Sequence, residues 1–151
     1  MTIRYSKGLR SALAGPVGFA AAFDRGVIEV RTGSQPADAN SPAVGTLLGT
    51  ITQNGAAFTP GSPTNGLTFG APVDGSVGKS GVWSFTGIAA GTAGHFRFKA
   101  NAIDNGEQSN TAVRLDGSCG PAGSDLVISN SRVAVGAPNT VDEFSYTVPE
   151  A

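Results

Sequence analysis

The run from Gly81 to Ala100, GVWSFTGIAAGTAGHFRFKA, restricts the fold more than any other stretch of this chain. Trp83 and Phe85 lie on one side of an extended strand, with Val82, Ser84 and Thr86 on the other. A small-residue connection follows, holding Gly87, Gly91 and Gly94, and then Phe96, Phe98 and Ala100 alternate with His95, Arg97 and Lys99. Successive strand side chains point to opposite faces, so each run offers one aromatic face and one more polar face. Paired as antiparallel neighbours, the two runs would set four large rings on one buried surface. Each buried ring contributes about 1.5–3 kcal/mol, opposed by the entropy of ordering it. The face carrying His95, Arg97 and Lys99 is expected in solvent.

The rest of the chain extends this pattern. Thirteen valines against seven leucines favour strands, because branched Cβ atoms suit a pleated surface. Glycine and proline recur between short apolar runs as turn formers. Strands are predicted at 26–32, 46–52, 81–87, 95–103, 112–115, 125–128, 132–135 and 143–148, with a short strand at 67–69 and a bulged edge at 73–77. Asp74-Gly75, Asp104-Asn105-Gly106, Asp116-Gly117 and Ala137-Pro138-Asn139 read as breaks between strands. The expectation is an all-β fold, a β-sandwich or jelly roll of about eight or nine short strands. Leu9, Ala12 and Leu13 keep helical spacing up to Pro16, and Phe19 and Phe23 suggest a second short helix. Residues 1–24 are therefore read as an N-terminal helical arm and 25–151 as a single β-sandwich domain.

Charge narrows the partners. The net charge is −1 and only 14% of residues are charged, so no broad basic field for direct nucleic-acid binding exists. The distribution is uneven: Arg4, Lys7 and Arg10 precede the first acid, Asp24, while Asp142, Glu143 and Glu150 follow the last base, Arg132. Cys119 is the single cysteine, which excludes an intrachain disulfide and suits a reducing cytoplasm. Basic residues followed by SALAGPVGFAAAF superficially resemble an export signal, but Gly15, Pro16 and Gly18 interrupt its apolar run. No apolar run approaches membrane-spanning length, so no membrane partner is expected.

Candidate chemistry is sparse. His95 is the only histidine, so a Ser-His-Asp arrangement would need it, and its expected place is an exposed cross-strand position. Gly87, Gly91 and Gly94 match neither a phosphate loop nor a dinucleotide fingerprint and read as hairpin glycines. Asp74, Asp104, Asp116 and Asp142 lack the dense alternation of a calcium loop, and turn chemistry accounts for them better. Glu29, between Ile28 and Val30, is expected at the solvent face or in a salt bridge to Arg31 or a partner subunit. Cys119 has no neighbouring base and is expected to be unreactive. No catalytic residue, metal site or cofactor is expected.

The runs GVIEVRTGSQPADAN and GTLLGTIT, then the aromatic strand and TAGHFRF, resemble a family of small structural proteins of tailed bacteriophages. In that family an N-terminal helical piece leads into a strand ending in a Gly-x-Gln-Pro turn. A Gly-Thr-Leu-Leu strand and a Gly-x-x-Gly-x-Phe-Arg segment follow. The resemblance spans roughly residues 20–145 and its motifs record turns and core positions. It implies a capsid cement or decoration protein, made in the host bacterial cytoplasm and placed on the virion's outer surface. The implied partners are the major capsid protein and further copies of the chain, as a dimer or trimer. A tail- or fibre-associated β-sandwich that binds carbohydrate or protein is the alternative. The arm adds a docking candidate: Ile3, Arg4, Tyr5, Lys7, Leu9, Arg10 and Leu13 combine basic charge with apolar surface on a helix too short to stand alone. These residues are expected to contact a neighbouring subunit or shell protein.

Overall fold

The computed structural model describes residues 3–149. Strand β1 (Arg4–Tyr5) leads into helices α1 (Lys7–Ala14) and α2 (Phe19–Phe23). Next come β2 (Val27–Thr32), β3 (Leu47–Gln53), β4 (Thr68–Phe69), β5 (Ser76–Ser80), β6 (Trp83–Thr86) and β7 (Gly91–Lys99). The chain continues with β8 (Arg114–Gly120), β9 (Leu126–Ile128), β10 (Arg132–Val133), β11 (Pro138–Glu143) and β12 (Ser145–Thr147). With 39% strand against 9% helix, the fold is all-β.

Seven strands close on themselves in the order β8-β9-β11-β6-β3-β2-β7, with β7 pairing back onto β8. Every pairing around this barrel is antiparallel except β8 with β9, which is parallel. Strands β1 and β10 extend it at β8 and β7, and β12-β5-β4 form a separate three-stranded sheet. A single sheet closed into a barrel thus stands where two stacked sheets were expected. Closure removes the exposed edges that an open sheet of this length would have to protect.

The period-two reading of the aromatic runs fits the core. Trp83, Phe85, Phe96 and Phe98 are all buried in one cluster. Register explains the neighbours: Phe98 sits between Ile28 and Leu115, and Phe96 between Val30 and Gly117. The two runs are not paired with each other, however. Strands β3 and β2 lie between β6 and β7, so the rings meet across the interior, with Trp83 and Phe98 centroids 6.0 Å apart. A barrel this narrow needs small residues opposite large ones. A Cβ on Gly49 would overlap the Phe85 ring, and one on Gly117 would crowd Phe96. Phe23 of α2, Phe69 of β4 and Phe144 complete the aromatic cluster against Phe98 and Trp83, and Tyr146 of β12 stacks on Phe19.

Several sequence-read boundaries move. Asp116-Gly117 lies inside β8 instead of ending a strand, because Gly117 supplies the inward gap that Phe96 fills. Strand β7 begins at Gly91, so Gly91 and Gly94 are strand residues, and β11 runs through Pro138-Asn139. Both helices form where their spacing placed them, but neither is free. The Ser6 hydroxyl caps α1 by accepting the Leu9 N–H at 3.1 Å, and it donates to the Ala112 carbonyl at 2.7 Å. Leu9 is wholly buried, and Ile3, Tyr5 and Leu13 pack partly buried on the same core.

Candidate functional site

The outward face of β2, β7 and β8 is where charge gathers. Register aligns Glu29 with Arg97 and Asp116, and Arg31 with His95 and Ser118. On an ordinary barrel such positions meet water. Here His95, Arg97, Arg114 and Asp116 are each at most 1% exposed, which corrects the expectation of a solvated polar face. Two loops cover it, residues 33–45 and 104–112.

The covering loops explain the charges. An irregular segment lying on a sheet brings carbonyls that must find donors. Arg97 Nε and Nη2 donate to Asp116 Oδ1 and Oδ2 at 2.7 and 2.8 Å, leaving Nη1 to donate to the Ser41 carbonyl at 2.8 Å. Arg114 Nε and Nη2 hold Asp104 in the same forked way, at 2.8 and 2.7 Å. Its remaining N–H groups donate to the carbonyls of Asn40 and Glu107. Bidentate geometry of this kind is what the planar guanidinium does best. The 33–45 loop is shaped for the contact by Asp38, whose Oδ1 accepts from the backbone N–H groups of Asn40 and Ser41.

Electrostatics follow this geometry. Burial pushes the Asp104 carboxyl up, but the Arg114 hydrogen bonds and the Gly106 N–H outweigh it and hold the group below its ordinary range. The Asp104 hydrogen bond raises Arg114 in turn, against the opposing effect of burial. Glu29 is half-buried and paired: Arg31 lies 3.2 Å from Oε1 and Lys99 3.5 Å from Oε2. The salt bridge to Arg31 is therefore formed within this chain.

His95 is wholly buried. Its Nδ1–H donates to the Gly33 carbonyl at 2.9 Å, and its buried Nε2 has no partner among the described residues. Cys119 is buried, and burial pushes its thiol up to about 12, which suits an unreactive side chain. No three His, Cys, Asp or Glu side chains among the described residues converge as a metal site. No helix among them is long and apolar enough to cross a membrane.

The arm residues divide. Leu9 is enclosed by its own chain, so it serves the fold and has no surface to offer. Tyr5 shares a 2.9 Å hydroxyl contact with Tyr146; burial, then this contact, raises its pKa far above the ordinary value. Arg4 donates to the Pro36 carbonyl at 3.4 Å. Lys7 and Arg10 remain exposed, beside a shallow depression lined by Ser11, Ala14 and Asn110.

A groove of about 420 Å³ adjoins the charged face, and sequence reading gave no sign of it. Its floor is the outer side of β2, β3 and β6, with Val27, Thr50, Thr52 and Thr86; Glu29 and Lys99 also line it. Gly55 to Phe58 and Pro60 line one side, and Ala100, Ala102 and Asp104 line it as well. No family model matches this chain, and no curated protein or solved structure does either.

Proposed function

We propose that this protein is a structural virion component that binds the outside of a phage capsid and stabilises the shell by bridging neighbouring subunits. One observation carries the reading. The residues behind the phage-protein resemblance form a locked scaffold, with the Gly-Ser-Gln-Pro-Ala-Asp-Ala-Asn loop lying over the Gly-His-Phe-Arg strand. Gly33 takes the His95 N–H, and Ser41, just after that motif, takes the Arg97 N–H. What the resemblance shares is thus a rigid body, and a rigid body loses little conformational freedom on docking. In this reading the chain performs no reaction. Many copies, each binding the assembled lattice better than free subunits, shift the shell toward its assembled state. The partners are the major capsid protein and further copies of this chain.

The exposed basic pair on α1, Lys7 and Arg10, is the docking feature that can be altered without touching the core. The test is co-sedimentation of purified protein with particles that lack it, together with its copy number in native particles. The expected result is saturable binding, a copy number comparable to the shell protein, and weakened binding by Lys7→Glu/Arg10→Glu. A few copies per particle, located on the tail, would replace this reading with the fibre- or tail-associated alternative.

A further inference from the structure

The groove over β2, β3 and β6 has the chemistry of a ligand site. Its volume, about 420 Å³, lies within the range of about 300–1,000 Å³ typical of small-molecule pockets. Its walls are fixed before any ligand arrives. The Thr52 hydroxyl donates to the Ala56 carbonyl at 2.7 Å, and Asn65 Nδ2 donates to the Ala57 carbonyl at 2.7 Å, on either side of the turn into Phe58. Across the groove, Asn101 Nδ2 donates to the Ser62 carbonyl at 2.6 Å, while Gly61 N–H donates back to the Asn101 carbonyl at 2.7 Å. Such prior ordering lowers the cost of binding.

The polar groups select the ligand. Glu29 and Lys99 lie as an ion pair, and Arg31 takes the other Glu29 oxygen, so a ligand of either charge meets a like charge. Neither group is used up. A carboxylate accepts at about four positions and an ammonium has three donors; Lys99 spends two, on Glu29 and on the Asp104 carbonyl. The Thr50 and Thr86 hydroxyls have no hydrogen-bond partner among the described residues, and each can both donate and accept. Beside these stand apolar surfaces: the half-buried Phe58 and the rim residue Ile88, which is 62% exposed. A fitting ligand is neutral, carries neighbouring hydroxyls on its edge and presents an apolar C–H face.

We propose that this groove binds a neutral saccharide, with one pyranose unit packed against Phe58 and its hydroxyls taken by Thr50, Thr86 and the unused positions of Glu29 and Lys99. The site belongs to the isolated chain and does not depend on shell binding, so either reading can fail alone.

The test is titration of ¹⁵N-labelled protein with the neutral methyl glycosides of glucose, galactose, mannose and N-acetylglucosamine. Inorganic phosphate and a blocked dipeptide amide serve as competing probes. At least one glycoside should produce saturable amide shifts confined to the neighbourhood of Thr50, Thr52, Phe58 and Ala102. Phe58 lies outside the core cluster, so Phe58→Ala should keep a dispersed spectrum while weakening binding about tenfold. Thr50→Val tests the hydroxyls and should weaken binding with the fold intact. Absence of shifts with every glycoside through the millimolar range would overturn the proposal. So would shifts unchanged in Phe58→Ala, or stronger saturable binding of phosphate or of the dipeptide.

Discussion

Removing one partner of the Arg97–Asp116 pair should be among the most damaging single changes outside the aromatic core. Both side chains are at most 2% exposed. Taking two charges from water is expensive, and their forked contact offsets that cost only while both are present. Arg97→Met leaves the Asp116 carboxylate buried without its countercharge and takes from the Ser41 carbonyl its shorter donor, leaving only Arg114 Nη1 at 3.5 Å. Breaking a buried pair in this way costs about 3–5 kcal/mol. For a chain of this size each kcal/mol lowers the melting temperature by about 2–4 °C, so the fall should be about 6–20 °C.

Trp83 is the only tryptophan and is wholly buried, so its fluorescence reports global unfolding in urea or on heating. The double variant Arg97→Met/Asp116→Leu removes both charges together and should recover much of the loss, because no charge is left unpaired. That non-additivity separates an uncompensated charge from simple loss of packing. Single variants within about 0.5 kcal/mol of the parent would refute the reasoning, since that is the behaviour of exposed positions. It would mean that the 33–45 loop does not seal this face in solution.

Two further outcomes follow. Asp104 is held below its ordinary value of 3.8, so its contribution to stability is complete above that pH and is lost as pH falls through its lower folded value. Asp104→Asn should lower stability at neutral pH and flatten the acid limb of a stability–pH profile, measured by urea denaturation at stepped pH. Leu9→Ala should cost about 2–5 kcal/mol, because the arm belongs to the core; a melt unchanged from the parent would return the arm to the role of a free docking element.

What could be read from the sequence follows from how local each signal was. The alternation of Trp83 with Phe85 and of Phe96 with Phe98 identified inward residues, and the Leu9-Ala12-Leu13 spacing located α1. Strand partners were not legible. Adjacency in sequence suggested that β6 pairs with β7, whereas closure depends on the parallel β8–β9 contact and on β2 and β3 entering between them. Asp116-Gly117 looked like a turn because that dipeptide usually is one; only the Phe96 ring on the neighbouring strand explains a glycine there. The buried charges were hidden for a similar reason. Arg97 and Asp116 are 19 positions apart in sequence and Arg114 and Asp104 are 10 apart, distances at which no periodicity links them.

The charged face and the groove are parts of one construction. Loops can cover a barrel face only if their carbonyls are satisfied, and here two arginines do that. The same contacts reach further. Arg114 fixes the Asp104 side chain, the Asp104 carbonyl accepts from Lys99 at 3.0 Å, and Lys99 meets Glu29 at the groove. Arg31 closes the sequence from the other side of Glu29. The groups offered to a ligand are thus held by residues buried beneath the loops, which suits hydrogen bonding that depends on placement. A change at Arg114 should therefore disturb the groove without touching it, while Phe58 and Thr50 remain where the sheet and the 55–60 loop hold them. Stability and recognition are joined on this side of the barrel because the same few charged side chains serve both.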